Sequence, residues 1–200
     1  MNYWLMKSEP DTFGINDLYN KPNRTEHWDG VRNYQARNMM RDDMKLGDQV
    51  FFYHSNCDVP GIVGIMEVVK EGYPDFSAFD PDDKHFDPKS DPEHPRWIMV
   101  DVKYVRTLSR TITLKELRLA WTQDDCMDAG GTTPRMEEVE QRMERLPRAT
   151  QGAVAEAEQC RSNCRKHREA PADLALVRRG NRLSIMPVSK DQWEFILSLE

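Results

Sequence analysis

Trp28-Asp-Gly-Val-Arg-Asn-Tyr-Gln-Ala-Arg-Asn-Met-Met-Arg41 decides how the rest of the chain is read. An aromatic residue and a glycine precede a burst of planar hydrogen-bonding side chains, and the stretch then runs into a helix. Asn33 suits the start of that helix, because its side-chain oxygen can accept from a free amide of the first turn. Ala36, Met39, Met40 and Met44 recur at helical spacing and are expected to face a core. Arg37 and Arg41 share another face. Arg32, Asn33 and Gln35 stand where amide donors point outward and the helix dipole favours negative charge. Guanidinium and carboxamide groups pair with base edges, while Trp28 and Tyr34 offer flat faces for stacking. Pattern alone leaves two readings open. One is a pocket for a nucleobase beside a track for its phosphates; the other is a surface helix with scattered arginines and a Trp packed in the core.

Outward from this stretch, short strands alternate with turns. Tyr3 to Met6 reads as a strand that ends at Lys7-Ser8-Glu9-Pro10, since proline cannot donate to a ladder. Ile15 to Tyr19 is a short helix, and Pro22 and Asn23 open the loop leading to Trp28. Val50 to His54 is apolar without interruption, as expected of a strand buried on both faces. It closes on His54-Ser55-Asn56-Cys57, and Pro60-Gly61 turns it back into Ile62 to Val69, where Gly64 permits close backbone approach. Tyr73 to Arg96 is dense in Pro and Asp and should wrap the surface as a long loop, anchored by Phe76, Phe79 and Phe86. Its acids lack the spacing of an EF-hand, so calcium is not expected. Trp97 to Leu108 is the longest strand, and a helix starts within Thr111 to Leu117. Leu174-Ala-Leu-Val177 and Leu183 to Pro187 read as two short strands about a Gly180-Asn181 turn. Ser189 and Gln192 form a capping box for a last helix carrying Trp193, Ile196, Leu197 and Leu199 inward.

Charge and composition narrow the function. The chain has 200 residues, a net charge of -6 and a pI near 5.5. A protein that grips nucleic acid mainly through phosphates would be basic, so a sequence-blind binder is excluded while a local basic patch is not. No apolar run suits a signal peptide or a membrane span, which points to a soluble, intracellular, cytoplasmic protein with no membrane partner. Its four cysteines are then expected as thiols.

The central stretch, with Trp4-Leu-Met-Lys-Ser-Glu-Pro10, Phe51-Phe-Tyr-His-Ser-Asn56, Pro60-Gly61, Pro95-Arg-Trp97, Val100-Asp101 and Arg182-Leu-Ser-Ile-Met-Pro187, resembles the EVE-domain family. The resemblance covers residues 1 to about 119 and about 174 to 200. It implies an α+β, PUA-like fold, related to the YTH domains that bind methylated adenine in RNA. The expected architecture is a mixed, partly closed, barrel-like sheet flanked by helices. The resemblance also implies a pocket for a modified base, with a modified cytosine the usual proposal, and hence DNA or RNA as partner. The residues expected to bind the base are Lys7, Ser8, Trp28, Arg32, Asn33, Tyr34, Tyr53, His54, Ser55, Trp97, Arg182 and Ser184. Arg37, Arg41, Arg178 and Arg179 are expected to contact phosphates.

The stretch from about 120 to 173 departs from the family. Between Thr122 and Asp173 there is no Phe, Tyr, Trp or Ile, so it cannot build a core of its own. Thr133-Pro134 and the stripe Met136, Val139, Met143, Leu146 suggest one helix, and about Ala153 to Arg168 a second. The segment reads as a helical insertion within one domain and a possible surface for a protein partner. An alternative function follows from it, a small-ligand or protein-interaction module. Cys160, Cys164 and His167 would share a helix face, yet the spacing suits buried small side chains better than zinc, and no metal or cofactor is expected. No nucleophile-elbow pattern surrounds Ser8 or Ser55, so a non-catalytic reader is expected.

Overall fold

The computed structural model describes residues 1–122, 174–178 and 180–200. The expected helices within 120–173, the cysteines Cys126, Cys160 and Cys164, and Arg179 lie outside the described residues. Met1–Leu119 and Pro171–Glu200 belong to one compact unit.

Six strands form its mixed sheet: β1 (Tyr3–Ser8), β2 (Thr25–Trp28), β3 (Gln49–His54), β4 (Gly61–Pro74), β5 (Ile98–Thr113) and β6 (Ile185–Val188). Their order is β2-β5-β4-β3-β1-β6, with β1 and β3 parallel and every other pair antiparallel. Among the described residues the α-helices are α1 (Ile15–Asn20), α2 (Tyr34–Asn38), α3 (Leu114–Thr122) and α4 (Lys190–Ser198). The mixed sheet with flanking helices matches the expected class, but the expected partial closure does not appear. The ladder is open, with β2 and β6 at its two edges. Several register shifts interrupt the pairing of β4 with β5.

Burial explains the centre. Leu5, Met6, Val50, Phe51 and Phe52 are fully buried, so β1 and β3 are covered on both faces, as a parallel pair requires. One face packs Trp4, Met6, Phe52, Met66, Val68 and Val100 against Ile15, Leu18, Ala36, Met40 and Met44. On the other, Trp193 of α4 stacks on Phe51 with ring centroids 3.8 Å apart. Gly64 meets the expected close approach: a Cβ there would lie 2.8 Å from Ile15 Cδ1 and 2.9 Å from the Arg106 carbonyl.

Four sequence expectations change. The helix after Asn33 is α-helical only to Asn38 and finishes as a π turn over Met39–Asp43, with Met40 and Met44 still inward. Residues 25–28, expected as loop, are edge strand β2, paired with β5 alone. Residues 174–177 form a turn rather than a strand, and only β6 pairs with β1 on that side. Of the three phenylalanines expected to anchor the loop after β4, Phe76 and Phe86 are exposed and Phe79 is half-buried, while Asp75, Ser77 and Ala78 are buried.

Candidate functional site

Parallel pairing sends the C-terminal ends of β1 and β3 to the same border of the sheet. The Ser8 carbonyl accepts from the Ser55 amide at 2.8 Å and from its Oγ at 3.3 Å. The Lys7 amide donates to the Ser184 carbonyl at 2.8 Å, which draws in the segment before β6. Beyond this junction lies a cleft of about 950 Å³. Its other walls are Phe13, the end of β2 with the turn from Trp28 to Arg32, and Asp83–His85 of the long loop.

Seven of the residues expected at a base site line this cleft: Lys7, Ser8, Trp28, Arg32, Ser55, Arg182 and Ser184. Lys7 is half-buried, and burial pushes its ammonium pKa below the usual lysine value. Neither Lys7 nor Arg182 has an ion-pair partner among the described residues. Trp28 reconciles the two readings of its stretch. It is a core residue, 7% exposed, packed edge-on to Phe52 at 5.4 Å and Phe13 at 6.2 Å, yet it still forms part of the cleft wall.

Arg32 is in the wall, but four of its five N–H donors are committed within the protein. Nη1 donates to Asp75 Oδ2 at 2.7 Å, Nε to the His85 carbonyl at 2.9 Å, and Nη2 to Ser77 Oγ at 3.2 Å and again to His85. Asp75 is fully buried. Burial opposes its ionisation, but hydrogen bonds from Ser77, Arg32 and Gly30 outweigh that and hold its carboxyl below the usual carboxylate range.

The remaining expected residues lie outside the lining. Asn33 caps α2, its Oδ1 accepting from Gln35 and Ala36. Tyr34 is exposed and stacks on buried Trp97 at 5.0 Å, and the Trp97 indole donates to Asp87. Tyr53 is buried, which pushes its phenol up to about 12. His54 Nε2 accepts from the Ile15 amide at 3.2 Å, and burial lowers its imidazole pKa. Among the expected phosphate contacts, Arg37 donates to the Arg96 carbonyl and Arg41 pairs with Asp42. Arg178 is exposed.

Sequence reasoning missed Phe13, Asp29, Gly30 and Asp83–His85, which enter the cleft from three separate segments. Of these only the glycine within the central stretch gave a signal. Asp29, Asp83 and His85 bring one potential ligand atom each within 4.8 Å of one another and could hold a divalent cation at the cleft. No described helix is long and apolar enough to cross a membrane.

The open mixed sheet with its helices is that of a PUA-like domain. The EVE-domain family model matches residues 2–146. Thymocyte nuclear protein 1 of Rattus norvegicus is 40% identical over 208 residues, spanning all of this chain and 74% of the relative. Its Danio rerio counterpart is 41% identical over 206 residues, covering 98% and 71%. The chain belongs to the EVE-domain family. Among solved structures, human THYN1 in complex with 5-methylcytosine-containing DNA aligns at a TM-score of 0.73 and 37% identity, covering 100% of this chain and 97% of that one. A Pseudomonas syringae protein aligns at 0.70 and 36% identity, covering 98% of each.

Proposed function

We propose that the cleft binds a modified base, a modified cytosine, carried in DNA, and that the protein is a non-catalytic reader. The observation that carries this reading is a set of cations without ion-pair partners among the described residues, Lys7, Lys84 and Arg182, around a concave site with an aromatic wall. Such cations suit phosphates, and the cleft carboxylate Asp29 suits the exocyclic amine of a cytosine, which donates. The human relative, solved with 5-methylcytosine-containing DNA, supports DNA as the first polymer to test. With a net charge of -6, affinity must come from this local patch rather than from the whole surface. Extruding a base from a duplex costs a few kcal/mol, so single strands or weakened pairs should bind better. The composition fits a soluble intracellular protein that takes RNA only if the pocket tolerates a 2′-hydroxyl.

Trp28→Ala is a poor probe, because a buried core side chain would be lost with the wall. Lys7→Ala and Arg182→Ala are better. Each should weaken binding of a 5-methylcytosine single-stranded DNA oligonucleotide. Each should also reduce the slope of log K against log salt by about 0.7, the value for one lost phosphate contact. Unchanged affinity and slope in both variants would remove the cleft from the binding site.

A further inference from the structure

We propose that Arg32 is a positioning residue: it seats Asp83-Lys84-His85 as a wall of the cleft, and this loop segment contacts the bound ligand. The proposal rests on the base-binding reading above.

The connection between β4 and β5 is long, and loops of that length in compact domains tend to carry function. Here it is pinned. Asp75 takes the Arg32 guanidinium and the Gly30 amide, Asp87 takes the Trp97 indole, and the Asp87 amide returns to the Ala78 carbonyl. Between those pins the tip leans on the central stretch at two points. Arg32 donates twice to the His85 carbonyl. Gly30, at φ +70°, lies under the His85 ring, where an added Cβ would come within 2.5 Å of it. Only a residue without a side chain fits there. Arg32 therefore joins a buried carboxylate to the loop tip, with four of its five N–H donors spent on that junction. Lysine could not replace it, since a single ammonium cannot span Asp75 and the His85 carbonyl as the planar fork does. The tip so held presents an exposed cation, Lys84, and a part-exposed imidazole to the cleft.

The test is a double-mutant cycle on the full chain, titrated with a single-stranded DNA oligonucleotide carrying 5-methylcytosine. Its arms are Arg32→Lys, the pair Lys84→Ala/His85→Ala, and all three together. Arg32→Lys and the loop pair should each weaken binding about tenfold, the size of one well-made contact. The triple variant should be no weaker than the loop pair, and hydrogen exchange at the amides of 83–87 should rise in Arg32→Lys. The loop pair alters one exposed and one part-exposed side chain, so it tests the ligand contact on which the proposal depends even if Arg32→Lys unfolds. Wild-type affinity in the loop pair, or additive losses in the triple variant, overturns the proposal and leaves the base-binding reading intact. No binding by the wild type overturns that reading, and the proposal with it.

Discussion

Asp48 has no ion-pair partner among the described residues, yet it is one of the few carboxylates there that is fully buried. It accepts from the Asn2 amide at 2.7 Å, from Asn2 Nδ2 at 3.3 Å, from the Trp4 indole at 3.0 Å and from the Lys45 amide at 3.0 Å. Burial opposes ionisation, but these donors outweigh it and hold the carboxyl below the usual carboxylate range. In Asp48→Asn the side-chain amide turns a donor toward donors, so the substitution should cost about 2 kcal/mol in a urea titration. The sign of the pH effect follows. Asp48 and Asp75 both titrate lower folded than unfolded, so their contribution is complete above about pH 4, the unfolded value, and is lost as pH falls through the folded ones. The urea midpoint of the wild type should fall on going from neutral pH to pH 3, and fall less in Asp48→Asn. Residues at this scale were only partly legible. The capping role of Asn33 follows from its place before an apolar repeat. The commitment of Arg32 does not, because a guanidinium serves a base edge, a carboxylate and a carbonyl equally well.

Elements were legible where burial is one-sided or complete. Val50 to Tyr53 could only be a buried strand, and Ser189 with Gln192 could only open a helix that carries Trp193 inward. The Ser189 side chain accepts from the Gln192 amide at 3.2 Å, and the Gln192 side chain accepts in turn from the Ser189 amide at 2.9 Å. Ser189→Ala should therefore cost about 1 kcal/mol, read from the thermal or urea midpoint, with β6 and α4 opening first by hydrogen exchange. A result within error of wild type would mean that the α4 packing on Phe51 alone holds the helix. Strand β2 escaped because Thr25-Glu-His-Trp28 alternates weakly and pairs on one side only. The long loop misled for a related reason: its aromatic residues look like anchors, but Asp75 and Ser77 bury themselves by pairing with Arg32 and Gly30. Polar anchoring leaves no hydrophobic period in the sequence.

For the whole molecule, the cleft is a product of topology. Residues 7–9, 12–13, 26–32, 55–56, 83–85 and 182–184 are scattered along the chain and meet only because β1 and β3 run parallel and β6 returns beside β1. A linear pattern can nominate Lys7, Trp28 or Arg182, but cannot say that Asp83–His85 will face them. Nor can it distinguish Tyr34 and Trp97, stacked on each other beyond the cleft, from aromatic residues free to take a base. The stretch from about 120 to 173, expected as an insertion, was the least legible part of the sequence, because its composition sets no core against which a register could be fixed.

The most direct measurement is a titration of the full chain at fixed salt. The ligands are single-stranded oligonucleotides that differ at one position only: cytosine, 5-methylcytosine or 5-hydroxymethylcytosine, in DNA and in RNA. A base-reading cleft predicts that one modified cytosine in DNA binds about tenfold or more tighter than cytosine, the discrimination a fitted pocket gains from one small group. Equal, weak binding of every oligonucleotide would contradict it.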